Sequence, residues 1–152
     1  MGAVVTTYLE LTDPGGIRPA RPVDAEVMRI DPPDGAINRS FYERVGEHYS
    51  WLDHRGKHER WWREHAARVE TWTIPGAGYY ELDQVGGDVE IAHFGLLPEF
   101  HGRGLGGHLL EHALRRGFEL GTRVWLHTCS LDGPHALANY VARGLVPYRV
   151  ER

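Results

Sequence analysis

The chain has one cysteine, Cys129, and one lysine, Lys57. A single thiol excludes an internal disulfide and fits a reducing compartment. No apolar run approaches the ~18 residues that a membrane-spanning helix requires, and none has the look of a signal-peptide core. We therefore expect a soluble protein of the cytoplasm with no membrane partner. Basic runs are missing too, since 17 Lys and Arg stand against 21 Asp and Glu, for a formal net charge of −4. That balance disfavours nucleic acid as a partner. The ten histidines form no HxH, HExxH or Cys/His cluster, so no metal is expected. His54 and His58 are four apart but straddle Gly56, which reads as a loop–helix boundary. Repeats and separating linkers are also lacking. The 152 residues read as one domain, long enough to bury about 70% of its unfolded surface. Near-exclusive use of arginine over lysine suggests a GC-rich bacterial genome.

What the chain does have is a stretch from Glu90 to Gly107, EIAHFGLLPEFHGRGLGG. Val89, Ile91 and Phe94 favour a strand, which Pro98 ends. Four glycines then fall within six positions, at Gly102, Gly104, Gly106 and Gly107. A helical apolar stripe follows at once, through Leu105, Leu109, Leu110, Ala113, Leu114 and Phe118. A glycine turn feeding a helix start presents free N–H groups and a positive dipole end, which suits a phosphate or pyrophosphate. Gly102, Gly104 and Gly107 also satisfy GxGxxG, but the next strand, Arg123–Thr128, lacks the acid that a dinucleotide fold places there. Only 45 residues follow Gly107, too few for a second half-sheet, and no Walker lysine follows the glycines.

These residues resemble a known family. His101-Gly102-Arg103-Gly104-Leu105-Gly106 is similar to the Q/R-x-x-G-x-G/A loop of the GNAT superfamily of N-acetyltransferases, with His101 in place of the usual Gln or Arg. Pro98-Glu99-Phe100 resembles its proline-containing lead-in. Downstream, Tyr140 to Leu145 resembles the family's Y-x-x-x-G-F, with Ala136 at the small position, although Gly133 stands where an Asn is usual. Arg123–Tyr148 resembles a bacterial, actinobacterial-like subgroup. The resemblance covers residues 70–150 well and the first 70 poorly. It implies an α/β (α+β) GNAT fold, with a mixed, mostly antiparallel sheet flanked by helices, and acetyl-CoA as co-substrate.

The remaining elements read as follows. Ala3–Leu11 is a first strand, and Glu26–Ile30 a short second one after a proline-rich stretch. Asn38 caps a helix over Arg39–Tyr49, and a second helix runs from Lys57 to Arg68. Val69–Ile74 and Gly78–Leu82 form a hairpin that continues through Gly86-Gly87 into the strand carrying Glu90. Gly121 ends the long helix as its C′ residue, Asp132 caps a last helix reaching Arg143, and Leu145–Val150 is the final strand.

Acyl transfer to an amine needs a base for the ammonium and a proton for the departing thiolate. The resemblance makes Glu90 the general base, eleven residues before His101, and Tyr140 the general acid. Glu81 is expected opposite Glu90 on the hairpin, where like charge would raise one pKa. His93 and His127 lie on strands near the site and are alternative bases. For the cofactor, the resemblance implies backbone groups of Leu96 and Leu97 on the pantetheine. It further implies contacts from His101, Gly102, Arg103, Gly104, Leu105, Gly106, Gly107 and Asn139. Tyr49 and Trp51 are expected to wall the acceptor pocket. The expected activity is acetylation of a small-molecule amine by a monomer or homodimer. The alternatives are a protein or peptide acetyltransferase and a non-catalytic acyl-CoA sensor.

Overall fold

The computed structural model describes residues 4–47, 49 and 51–152. Ala3, the expected start of the first strand, and His48, within the first expected helix, lie outside them.

The strands are β1 (Thr6–Leu11), β2 (Met28–Arg29), β3 (Glu70–Ile74), β4 (Gly78–Val85), β5 (Asp88–Leu96), β6 (Arg123–Cys129) and β7 (Val146–Glu151). The helices are α1 (Gly35–Gly46), α2 (Glu59–Arg68), α3 (Leu105–Leu120) and α4 (Pro134–Ala142). Among the described residues the strands join one sheet in the order β2-β3-β4-β5-β6-β1-β7. Every pairing is antiparallel except β5 with β6. The parallel pair needs a crossover, which α3 provides. The expected mixed, mostly antiparallel sheet with flanking helices is therefore the observed one.

Two layers of helix cover the sheet. On one face Leu105, Leu109, Leu110, Ala113 and Leu114 of α3 pack with Tyr80, Leu82, Val89, Ile91 and Leu96 in the main core. On the other, Phe41 and Val45 of α1 pack with Tyr79 and Leu97. The strand period of two assigns alternate residues of β4 to the two faces: Tyr80 and Leu82 to α3, Tyr79 and Glu81 to α1 and α2.

Local details differ from the sequence reading. Asp34, not Asn38, caps α1, its carboxylate accepting from Ala36 N–H at 2.9 Å. The helix thus starts a turn early, buries Asn38 completely and ends at Gly46, leaving Tyr49 beyond it. Gly121 follows α3 in extended conformation rather than left-handed, and is glycine because a Cβ there would lie 2.5 Å from the Gly87 carbonyl. Asp132 does not cap α4, because its carboxylate accepts from the Thr128 hydroxyl (2.7 Å) and the Cys129 N–H (2.9 Å) instead. β1 is inserted between β6 and β7, a long-range pairing that no local pattern announces.

Candidate active site

β5 and β6 pair only at Asp88–Arg123, Val89–Val124 and Glu90–Trp125. Beyond Glu90 the two strands separate, although β5 continues to Leu96 and β6 to Cys129. The parting leaves a wedge in which the edge of β5 has no ladder partner. A cavity of about 1480 Å³ opens there, bounded by β5, β6, α4 and the residues after α1. It exceeds the roughly 300–1,000 Å³ typical of a single ligand pocket, which gives room for two reactants.

At the far end of β5 the chain passes through Pro98–Phe100 into the glycine turn. Gly102 (φ +76°) and Gly104 (φ +77°) are both left-handed, a conformation that costs other residues about 1–2 kcal/mol. Gly104 is the residue before α3, and no side chain caps that helix. Its first N–H groups are therefore available to an anion. Gly102 and Gly106 line the cavity.

Glu90 stands at the last paired position, with 25% of its side chain exposed. Burial, with help from Asp83 directly opposite on β4, pushes its carboxyl pKa up, against His127 and His93. His127 Nε2 lies 3.9 Å from the Glu90 carboxylate, and half of its side chain is exposed. Across the wedge Tyr140 is buried on α4, its ring edge-on to Phe94 at 6.0 Å. Burial, together with the Asp132 carboxylate and Tyr49, raises the phenol well above its ordinary value, so it keeps its proton.

Glu81 is not where the hairpin reading put it. The β4–β5 register slips by one residue, so that Glu81 faces His93 and Leu82 faces Ile91, with Ala92 the extra residue. Such a bulge reverses the alternation beyond it and brings Glu90 and His93, three apart, to the same face. Glu81 is completely buried. Its Oε1 accepts from His65 Nε2 and His93 Nδ1, each at 2.7 Å, and its Oε2 from Asn38 Nδ2 at 2.6 Å. Burial would raise this carboxyl, but the His93 and His65 imidazoles prevail and hold it well below the usual range. The carboxyl that rises is thus Glu90, by burial first and the Asp83 charge second, and Glu81 moves the other way.

His65, Glu81 and His93 are also close enough to hold a metal ion. However, His65 Nδ1 lies 3.2 Å from the Arg68 guanidinium, which can only donate. Nδ1 is then the acceptor and Nε2 carries the hydrogen that Glu81 accepts, so the three side chains bond to one another as a network. The His-x-x-Glu-His spacing at 108–112 is similarly occupied: His108 Nε2 bonds Ala25 O and His112 Nδ1 bonds the Tyr80 hydroxyl, each at 2.7 Å.

Of the other expected site residues, His93, Leu96, His101, His127, Asn139, Tyr49 and Trp51 line the cavity. His101 Nε2 sits 3.2 Å from both the Tyr49 hydroxyl and the Leu96 carbonyl, which ties Tyr49 to the end of β5. Trp51 is held from the far wall by Asp132, which accepts from its indole N–H at 3.2 Å. Leu97 does not serve as expected. Its N–H donates to Ala77 O (2.8 Å), its carbonyl accepts from Phe100 N–H (3.0 Å), and its side chain is buried under α1. Leu105 is a core residue. A Cβ on Gly107 would lie 3.1 Å from Ala20, so that glycine serves packing. Arg103 is exposed, its guanidinium 5.4 Å over the Phe100 ring. The sequence reading missed Asn38, His65 and Asp132. No local pattern marks the first two, which meet Glu81 only across the fold.

Comparison with known proteins follows the same line. No curated protein matches the chain. Among solved structures, a GCN5-related N-acetyltransferase from Sphaerobacter thermophilus superposes with a TM-score of 0.69 at 14% identity, over 99% of this chain and 50% of that one. One from Kribbella flavida gives 0.65 at 19% identity, over 94% and 54%. A glucosamine N-acetyltransferase region of a fungal multi-domain GH3 β-N-acetylglucosaminidase gives 0.65 at 15%, over 96% and 20%. At these identities the likeness is one of fold, and the chain spans about half the length of the first two. The sequence model of the acetyltransferase (GNAT) family matches residues 33–145, from the start of α1 to the strand after α4, and so takes in the wedge, the glycine turn and Tyr140. The chain belongs to the GNAT acetyltransferase family.

Proposed function

We propose that the chain is a cytoplasmic, single-domain N-acetyltransferase that moves the acetyl group of acetyl-CoA to the amine of a small molecule. The observation that carries this reading is the wedge: β5 and β6 part at Glu90, and the opening runs to the uncapped start of α3. The unpaired edge of β5 suits the amides of an extended pantetheine, and the N–H groups of the α3 start suit a pyrophosphate. Leu96, Gly102 and Gly106 border that path, with Asn139 across from them on α4.

Acetyl-CoA supplies an activated acyl group and a thiolate leaving group. The protein supplies proton transfers. Glu90, with its carboxyl pKa raised by burial, accepts the proton of the acceptor ammonium directly or through a water. Tyr140, kept protonated by burial, donates to the departing sulfur. Trp51 and Tyr49 form the acceptor wall, and the enclosing aromatics favour a compact amine over an extended peptide.

Release of free CoA, followed with a thiol reagent over a panel of amino acids, polyamines, aminosugars and aryl-alkylamines, tests the reading. Amine-dependent release from acetyl-CoA is the expected result. Acetylation of peptides alone would replace the acceptor class. Tight acetyl-CoA binding with neither amine-dependent nor background release would replace catalysis by sensing.

A further inference from the structure

The mechanism above leaves one buried titratable cluster unused. Glu81, His65 and His93 sit on the α1/α2 face of the sheet, and both histidines line the cavity that Glu90 borders. Each histidine's tautomer follows from its neighbours. The Arg68 guanidinium, 3.2 Å from His65 Nδ1, makes that nitrogen an acceptor, so His65 donates its Nε2–H to Glu81. Glu81 is an acceptor only when ionised, so His93 also donates to it, through Nδ1–H. That leaves His93 Nε2 as a lone pair. It has no hydrogen-bond partner among the described residues, and its side chain, 14% exposed, borders the cavity.

We propose that His93, oriented by Glu81, is a second proton acceptor for the acceptor amine, working beside Glu90 on the same wall of the wedge. The arrangement follows the logic of a carboxylate that fixes one imidazole nitrogen and stabilises the cation formed at the other. In the step, Glu90 takes the first proton from R–NH3+; as the R–NH2 nitrogen bonds the acyl carbon and the C–S bond breaks, the nitrogen's second proton passes to His93 Nε2, leaving a neutral amide and an imidazolium whose charge is balanced by the Glu81 carboxylate. The proton then passes through the open cavity to solvent. Glu81, sealed from the cavity, is a positioning residue and not itself the base. Asn38 holds the other carboxylate oxygen at 2.6 Å and keeps the dyad in register.

Other titratable groups also face His93. Tyr42 of α1 lies 5.2 Å away ring to ring, His54 5.5 Å, His65 of α2 5.9 Å and Tyr79 of β4 6.5 Å. Glu90 lies on the same strand and face.

The proposal rests on the transferase reading, so two readouts separate the two. Nitrogen-15 imidazole spectra of the protein without substrate should show His93 as the Nδ1–H tautomer and His65 as Nε2–H at pH 8. An Nε2–H His93 would overturn the dyad whether or not any amine is acetylated. With an active amine, His93→Gln should lower kcat/KM about 10- to 100-fold and remove one inflection from the acid limb of its pH profile, with KM for acetyl-CoA unchanged. A His93→Gln profile that superimposes on that of the wild type would also overturn the proposal, and would leave the transferase reading standing.

Discussion

The two faces of the sheet solve different problems with the same strands. The face under α3 is mainly apolar: Leu9, Leu109, Leu110, Leu114, Val89 and Val124 are fully buried there in one cluster. The face under α1 and α2 has a small apolar cluster around Phe41, Val45 and Tyr79, set beside a buried polar network of Asn38, Thr71, His65, Glu81 and His93. Three buried polar atoms without a protein hydrogen-bond partner, Asn38 Oδ1, Trp62 Nε1 and Tyr79 Oη, lie on this same side. Polar burial is expensive unless satisfied, and it is retained here next to the cavity. The comparison teaches that one face holds the fold together and positions the glycine turn, while the other holds protons.

The sharpest way to break that contrast is to remove the centre of the network. Glu81→Ala leaves buried His65 and Asn38 and part-buried His93 without their acceptor, and should cost about 3–5 kcal/mol in urea unfolding. Because Glu81 is held below its ordinary value of 4.5, it takes up its proton more readily in the unfolded chain. Its contribution is therefore complete above that value and lost as pH falls through the depressed folded value. The stability of the wild type should fall in acid more steeply than that of Glu81→Gln.

On the opposite face, Leu114→Ala should cost about 3 kcal/mol by cavity formation, with no change in the pH dependence of stability. A pH-dependent effect there would erase the distinction between the faces. Next, Glu90→Gln should lower kcat about 100-fold, or roughly 2.7 kcal/mol of barrier, with little effect on cofactor affinity. Since the Glu90 carboxyl is raised, the acid limb of the wild-type rate should inflect above 4.5, and the mutant should lose that inflection. Unchanged turnover would remove Glu90 from the mechanism. The smallest effect is expected at Gly102, where a Cβ meets nothing within 4 Å but φ is +76°. Gly102→Ala should cost about 1 kcal/mol by strain alone and weaken CoA binding as the turn relaxes.

Much of this was legible in the sequence, for local reasons. The apolar stripe of α3, the Pro75-Gly76-Ala77 hairpin turn and the glycine turn all declare themselves within a few residues. What was not legible depended on pairing across the chain. The bulge at Ala92 carries no sequence mark, and without it His93 would face α3 and Glu81 would stand opposite Ala92. Likewise the capping of α1 by Asp34 put Asn38 inside a helix, where its amide meets Glu81 rather than the helix end. Leu97 looked like the end of an open strand edge, but the turn after it consumes both of its backbone groups. Glu90, Tyr140 and the glycines stand out as candidates because a motif marks their positions. The residues around Glu81 were missed because only the fold assembles them.

The central claim is that the wedge between β5 and β6 receives an acyl-CoA. Isothermal titration calorimetry of the wild-type chain with acetyl-CoA, CoA and NADPH tests it most directly. Micromolar binding of acetyl-CoA and CoA, none of NADPH, and weaker CoA binding by Gly102→Ala is the predicted result. A folded protein that gives no heat with either CoA species would contradict it.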